Sequence, residues 1–108
     1  TPAKTRSYES MLQGAAIVAM EGRAPLDGPL AVKVLACFPI PTSWSRKKRE
    51  AAVMGEIKPT TRPDWENIAK VLDAFNAVVW RDDAQVVEGS IAKRYSYEPR
   101  LEVRVIAA

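Results

Sequence analysis

The stretch Leu30–Ile40, with the sequence LAVKVLACFPI, is rich in apolar and β-branched residues and is stopped by Pro39 and Pro41. A run of this kind between turn-forming residues predicts a strand, here over residues 30–39. Residues 23–29, RAPLDGP, contain two prolines and a glycine and predict the connection that leads into it. The elements on either side of this strand decide the fold class.

Two helices are predicted next to the strand. Before it, apolar residues recur with helical spacing over residues 8–21, and Gly22 stands where a helix C-terminus favours glycine. After it, residues 46–53 form a short helix with a charged face, capped by Thr42 or Ser43 and ended by Gly55.

The C-terminal half adds a helix and two strands. An exposed loop over residues 56–62 leads to Pro63, which suits the first turn of a helix that stops near Asn76. This helix buries a stripe made of Ile68, Val71, Leu72 and Phe75. Residues 85–96 are extended, and residues 101–106 alternate apolar and charged side chains, as in a strand with one solvated face. The order of elements predicts a two-layer α+β domain over residues 1–108.

The composition excludes several kinds of chemistry. The chain has 108 residues, no histidine and a single cysteine, Cys37. Zinc fingers and imidazole catalysis are excluded, so proton or metal chemistry must use carboxylates and lysine. Cys37 lies in an apolar run and is expected to be a buried thiol, which fits the reducing cytoplasm.

We expect a soluble protein that does not enter a membrane. No stretch of about 18 apolar residues occurs. The first residues, TPAKTR, have neither the apolar centre of a signal peptide nor an initiator Met, so we expect the N-terminus to be incomplete.

Charge is unevenly distributed along the chain. The formal net charge is +3, but residues 64–83 contain five acids and two bases, whereas the other 88 residues contain 14 bases and 8 acids. A basic body of +6 therefore surrounds an acidic segment of −3, and a basic surface is typical of proteins with an anionic partner.

The acidic segment carries candidate metal ligands. Asp64 and Glu66 lie at the start of the third helix, and Asp82 and Asp83 follow its far end. If the two pairs converge, the site is made of hard oxygen ligands and suits Mg²⁺ or Mn²⁺. Lys70, one turn after Glu66, is then available to contact a phosphate. The alternative is that Glu66 and Lys70 form an exposed pair, Asp64 serves the helix dipole and Asp82–Asp83 is a turn. The adjacent aspartates, flanked by apolar residues, predict a cation nearby because they repel one another.

The motifs of this segment resemble those of a known family. Residues 63–76, PDWENIAKVLDAFN, followed by residues 79–86, VWRDDAQV, are similar to the RusA family of Holliday junction resolvases. The family pattern is roughly P-D-x-D-N-x-x-K-x-x-x-D-x-L, a gap, and D-D-x-Q-V. The resemblance also covers residues 1–9 and the lysine at position 93.

The resemblance implies an RusA-like mixed sheet with helices packed on it, and a Mg²⁺-dependent endonuclease. Such an enzyme acts as a homodimer and resolves a four-way DNA junction by paired symmetrical nicks. By this analogy Asp64, Glu66 and Asp83 are the catalytic carboxylates and Lys70 is the catalytic lysine. Asp82 assists the metal, and Asp73 matches a further acid with a structural role.

The sequence departs from the family in two places. Glu66 stands where the family usually has Asp, which moves the carboxylate by about 1.5 Å, a shift that matters in tight catalytic geometry. We expect the N-terminal strand of the family to be missing ahead of Thr1, which would remove DNA contacts or sheet pairing and affect dimerisation. A catalytically weakened junction-binding protein of the same fold is therefore the alternative function.

Basic and aromatic side chains supply candidate DNA contacts. Backbone contacts by such cations release counterions and make binding dependent on salt. The candidates are Arg46, Lys47 and Lys48 of the basic run, Lys58 and Arg62 beside the third helix, and Lys93, with Lys4 and Arg6 as secondary ones. The alternative for the basic run is a solvated helix face. Trp44 and Trp65 are candidates for stacking on unpaired bases, while Trp80 is expected to be buried.

Overall fold

The computed structural model describes the backbone of residues 3–108 and the side chains of residues 10–70 and 72–108. In this part of the chain the α-helices are α1 (Ala3–Met20), α2 (Arg46–Val53) and α3 (Trp65–Lys70). The strands are β1 (Leu30–Pro39), β2 (Val86–Ser96) and β3 (Arg100–Ala107). Two short 3-10 helices span Val71–Phe75 and Asp83–Gln85.

β1 is the central strand of a sheet with the order β2-β1-β3. It is parallel to β2 and antiparallel to β3, so that Val34 lies opposite Ile91 on one side and Val103 on the other. These bounds confirm the strand predicted over residues 30–39. The predicted α+β class with a mixed sheet is also confirmed.

The two sides of the sheet differ because successive residues of a strand point in opposite directions. Leu30 and Val32 are 2% exposed and Val34 is 4% exposed, and all three belong to the hydrophobic core. The helices contribute to the same core through Ala16 and Met20 of α1, Ala52 of α2 and Ile68 of α3. Lys33 lies on the opposite side and is exposed. We call the side that packs on the helices the helical face and the other side the open face.

The helix ends differ from the predicted ones. α1 already begins at Ala3 instead of residue 8, and it ends at Met20, where Glu21 and Gly22 take φ values of 51° and 78°. α2 has the predicted bounds, but its N-cap is Ser45 and neither Thr42 nor Ser43. Ser45 Oγ accepts a hydrogen bond of 3.2 Å from Lys48 N. Thr42 and Ser43 lie within the preceding turn, which is closed by a bond from Trp44 N to Pro41 O, so the helix begins after them. Of the helices described, none combines the length and hydropathy needed to cross a bilayer.

The helix predicted from Pro63 to Asn76 is shorter and changes type. Pro63 lies outside it, α3 ends at Lys70, and the chain continues as the 3-10 helix Val71–Phe75. Ile68 and Phe75 are buried as predicted, and Leu72 is half-buried. The predicted stripe also includes Val71, whose side chain lies outside the described residues. Apolar spacing does not reveal the change, because residues three apart share a side in both helix types.

Trp80 anchors the segment that follows. It is 0% exposed, its Nε1 donates a hydrogen bond of 2.8 Å to Asn76 Oδ1, and its ring meets Phe75 edge to face at 5.7 Å. Backbone bridges join Trp80 to Asn76 and to Leu26. The predicted burial of Trp80 is confirmed, and the residue fixes the chain directly before the acidic pair Asp82–Asp83.

We expect Trp80→Ala to lower the free energy of unfolding by about 3–5 kcal/mol, because it empties a fully buried ring site. Trp65→Ala is the matched control. Trp65 is 58% exposed, and removal of its ring is expected to change the free energy of unfolding by less than about 0.5 kcal/mol. Urea unfolding followed by circular dichroism measures both, and equal decreases would contradict the anchoring role of Trp80.

Candidate active site

Asp64, Glu66 and Lys70 lie together at α3. Asp64 Oδ1 accepts a hydrogen bond of 2.9 Å from Asn67 N, so that this amide in the first turn of α3 has a partner. Lys70 Nζ lies 3.9 Å from Glu66 Oε1, and these side chains are 66% and 80% exposed. Ile68 is buried on the other side of the helix. α3 therefore presents three candidate residues to solvent, and the exposed ion pair contributes only about 0.3–0.5 kcal/mol to stability.

Asp82 and Asp83 lie in an exposed turn directly before β2. Asp82 is the N-cap of the 3-10 helix Asp83–Gln85, and its Oδ1 accepts a hydrogen bond of 2.8 Å from Ala84 N. The cation expected beside the pair is not supplied by Arg81, whose Nε bonds Asp27 Oδ1 at 2.8 Å. Exposure to solvent and the capping bond allow the adjacent carboxylates to be accommodated without a buried counter-ion.

Gln85 connects this turn to the chain before β1. Its Oε1 accepts hydrogen bonds from Arg81 N at 2.9 Å and Asp82 N at 3.0 Å. Its Nε2 donates to Leu26 O at 2.9 Å and to Gly28 O at 3.0 Å. One amide thus uses two donors and two acceptor sites to position the acidic turn. No role for Gln85 was predicted from the sequence, although Asp82 and Gln85 have the spacing of a capping box.

The carboxylates suit a metal ion by their chemistry but are not gathered into one site. Hard oxygen ligands of this kind bind Mg²⁺ or Mn²⁺. Among the residues whose side chains are described, no group of three or more Asp, Glu or Cys side chains is arranged to hold a metal ion. The carboxylates occur as two pairs, one at the start of α3 and one before β2.

The loop before α3 is attached to the sheet by Lys93. Lys93 Nζ donates a hydrogen bond of 2.7 Å to Thr61 O and lies 4.9 Å from the centre of the Phe38 ring. Lys93 is half-buried, whereas Lys58 and Arg62 of this loop are exposed. Lys93 thus holds the loop that precedes Asp64 against β2, while its two predicted partners in DNA binding face solvent.

The basic run of α2 forms mainly a solvated surface. Arg46, Lys47 and Lys48 are exposed, and Arg46 Nε pairs with Glu50 Oε1 at 3.3 Å. Lys48 Nζ lies 4.0 Å from the centre of the Trp44 ring, which packs edge to face on Tyr95 at 5.3 Å. Trp44 is therefore engaged in packing, whereas Trp65 keeps an exposed ring beside the acids of α3. Lys4 and Arg6 lie outside the residues whose side chains are described.

Comparison with known proteins defines the class and then the family. A family model described as "Endodeoxyribonuclease RusA" matches residues 1–106. The class is that of the DNA endonucleases. The chain belongs to the RusA endodeoxyribonuclease family, whose members act on branched DNA junctions.

One relative is similar over most of the chain. It is the "Uncharacterized protein YqaN" of Bacillus subtilis (strain 168), 40% identical over 109 residues, which are 96% of this chain and 75% of the relative. No solved structure matches.

We expect Gln85→Glu to release the acidic turn. The two accepted hydrogen bonds can persist, but a carboxylate cannot donate to Leu26 O and Gly28 O and instead repels them. The free energy of unfolding should fall by about 1–3 kcal/mol, and nuclease activity should fall more steeply than the folded fraction. Gln13→Glu, at an exposed position of α1, is the matched control. Thermal unfolding and a nicking assay on a four-way junction measure both effects, and an unchanged nicking rate would exclude a positioning role for Gln85.

Proposed function

We propose that the chain is a Mg²⁺-dependent endodeoxyribonuclease that resolves four-way DNA junctions by paired symmetrical nicks. The family match over residues 1–106 carries this proposal. The exposure of Asp64, Glu66, Lys70 and Asp83 supports it, because residues that act on a large anionic substrate must be reachable from solvent.

Asp64, Glu66, Asp82 and Asp83 would hold the metal ion, with Mn²⁺ as a substitute for Mg²⁺. When bound, a divalent cation activates water and stabilises charge on phosphate oxygens. Such a cation would also offset the mutual repulsion of the four carboxylates.

The cations beside these acids complete the site. Lys70 contacts the phosphodiester that is cut and stabilises the oxygen that leaves. Lys58 and Arg62 hold neighbouring phosphates, and both are exposed on the loop that leads to Asp64. The basic run of Arg46, Lys47 and Lys48 offers further backbone contacts. Lys93 contributes by keeping that loop against β2 through its bond to Thr61 O.

We further propose that the enzyme is a homodimer. One chain carries one set of candidate catalytic residues, whereas paired cuts require two. A four-way junction has approximate two-fold symmetry, and a two-fold dimer presents two equal sites to it.

The second candidate function is junction binding with weakened catalysis. Glu66 favours it, because the longer side chain is paired with Lys70 at 3.9 Å. Incubation with a synthetic four-way junction and Mg²⁺ separates the two functions, since binding without symmetrical nicks supports the second. In that case Glu66→Asp should raise the nicking rate, by up to about 100-fold if the misplacement is near 1 Å.

We expect Asp64→Asn and Asp83→Asn to abolish nicking and to keep or improve junction binding, because each removes a negative charge near the phosphates. Asn also serves as an N-cap, so Asp64→Asn should leave α3 intact. Glu56→Gln, at an exposed position between α2 and α3, is the matched control and should nick normally. Gel-shift and nicking assays with Mg²⁺ and with a chelator measure these effects. Loss of binding in both variants would count against these residues as metal ligands.

A further inference from the structure

The open face of the sheet carries a concentration of exposed cations. Its side chains come from alternate positions of the three strands. They include Lys33, Leu35 and Cys37 of β1, Ser90, Ala92 and Arg94 of β2, and Arg100, Glu102 and Arg104 of β3. Several of them, among them Lys33, Ser90 and Arg104, line a shallow depression in this face.

The cations are arranged in two rows across the strands. Lys33 lies directly opposite Arg104 on β3, and Cys37 lies between Arg94 on β2 and Arg100 on β3. Like charges directly opposite one another destabilise a sheet, so the fold does not explain the first row. Arg100 is compensated by Glu102, at 2.8 Å.

The remaining cations of the open face have no such compensation. In the part of the chain with described side chains, no carboxylate lies within ion-pairing distance of Lys33, Arg94 or Arg104. Glu88 lies at the end of the open face, opposite Ala31. The open face keeps a net positive charge even when Glu88 is included.

We infer that the open face binds the sugar–phosphate backbone of a duplex DNA arm. The inference rests on the proposed function, because it takes branched DNA as the substrate. Residues 33 and 37 are four positions apart on β1, so the two rows are separated by about 13 Å. This distance is close to the width of the DNA major groove, about 12 Å, which allows the rows to contact phosphates of both strands. A second copy of the chain fits the face less well, because stacking two such faces brings net positive surfaces together.

The open face lies on the side of the sheet opposite α3, which packs on the helical face through Ile68. On β2, Lys93 points to the helical face and holds the loop before Asp64, whereas its neighbours Ala92 and Arg94 point to the open face. A duplex on the open face is therefore separated by the sheet from α3 and its candidate residues. A junction has four arms, and an arm that is not being cut can occupy this surface.

The test uses Arg104→Gln and the double variant Lys33→Gln/Arg104→Gln in the full chain. Arg23→Gln is the matched control, because Arg23 is exposed and its guanidinium bonds only the end of α1 among the described residues. Binding to a four-way junction is measured by fluorescence anisotropy with a chelator present, over a range of salt concentrations.

Removal of one cation that neutralises a phosphate should reduce the steepness of log K against log salt by about 0.9. The double variant should therefore show a reduction of about 1.8 and bind at least about tenfold more weakly. Removing a like-charge pair should leave the thermal midpoint unchanged or higher.

The possible outcomes separate the two proposals. An affinity and salt slope equal to those of the wild type, or an equal weakening in Arg23→Gln, would overturn the role of the open face. A change of oligomeric state in sedimentation, with an unchanged salt slope, would assign the face to contacts between copies. If the two open-face variants show the expected reductions in salt slope but the wild type never nicks the junction, the surface stands and the proposed nuclease function fails.

Discussion

Hydrogen bonding of β1 on both of its edges is the constraint on which the rest of the structure depends. A central strand has no free edge, so only its two faces remain to be covered. Leu30, Val32 and Val34 make one face apolar enough to require a second layer, and α1, α2 and α3 supply it. Lys33 on the other face keeps that side in water. The two-layer arrangement thus follows from the residues of one strand.

The parallel pairing of β1 with β2 places the candidate site. Parallel neighbours need a long crossover connection, which here contains α2, α3 and the segment anchored by Trp80. The crossover returns to the start of β2 directly after Asp82 and Asp83. One acidic pair therefore lies within the connection and the other at its end. Because both pairs belong to turns or helix starts, one carboxylate of each pair, Asp64 or Asp82, serves as a cap. All four acids remain exposed.

The sequence was most informative where local signals agreed. β1 was predicted with the right bounds because prolines and an apolar run mark the same residues, and α2 was bounded correctly as well. The predicted N-cap of α2 was wrong, because Thr42 and Ser43 belong to the turn before the helix and Ser45 is the first residue after that turn with a capping side chain. The role of Gln85 depends on carbonyl groups 57 and 59 residues away in the chain, which no local pattern reveals. The expected convergence of the carboxylates stays a prediction, since it depends on tertiary positions and on a cation.

Residues that hold the fold and residues proposed to act on DNA are largely different sets. Trp80 and the β1 core are buried, whereas Asp64, Glu66, Lys70 and Asp83 are exposed. Exposed charges cost little to solvate, so this arrangement lets the chain carry a strongly charged surface without weakening its core. Gln85 is the exception, because its amide joins the acidic turn to the connection before β1. Through it, the position of Asp82 and Asp83 is tied to the connection that leads into the strand that organises the fold.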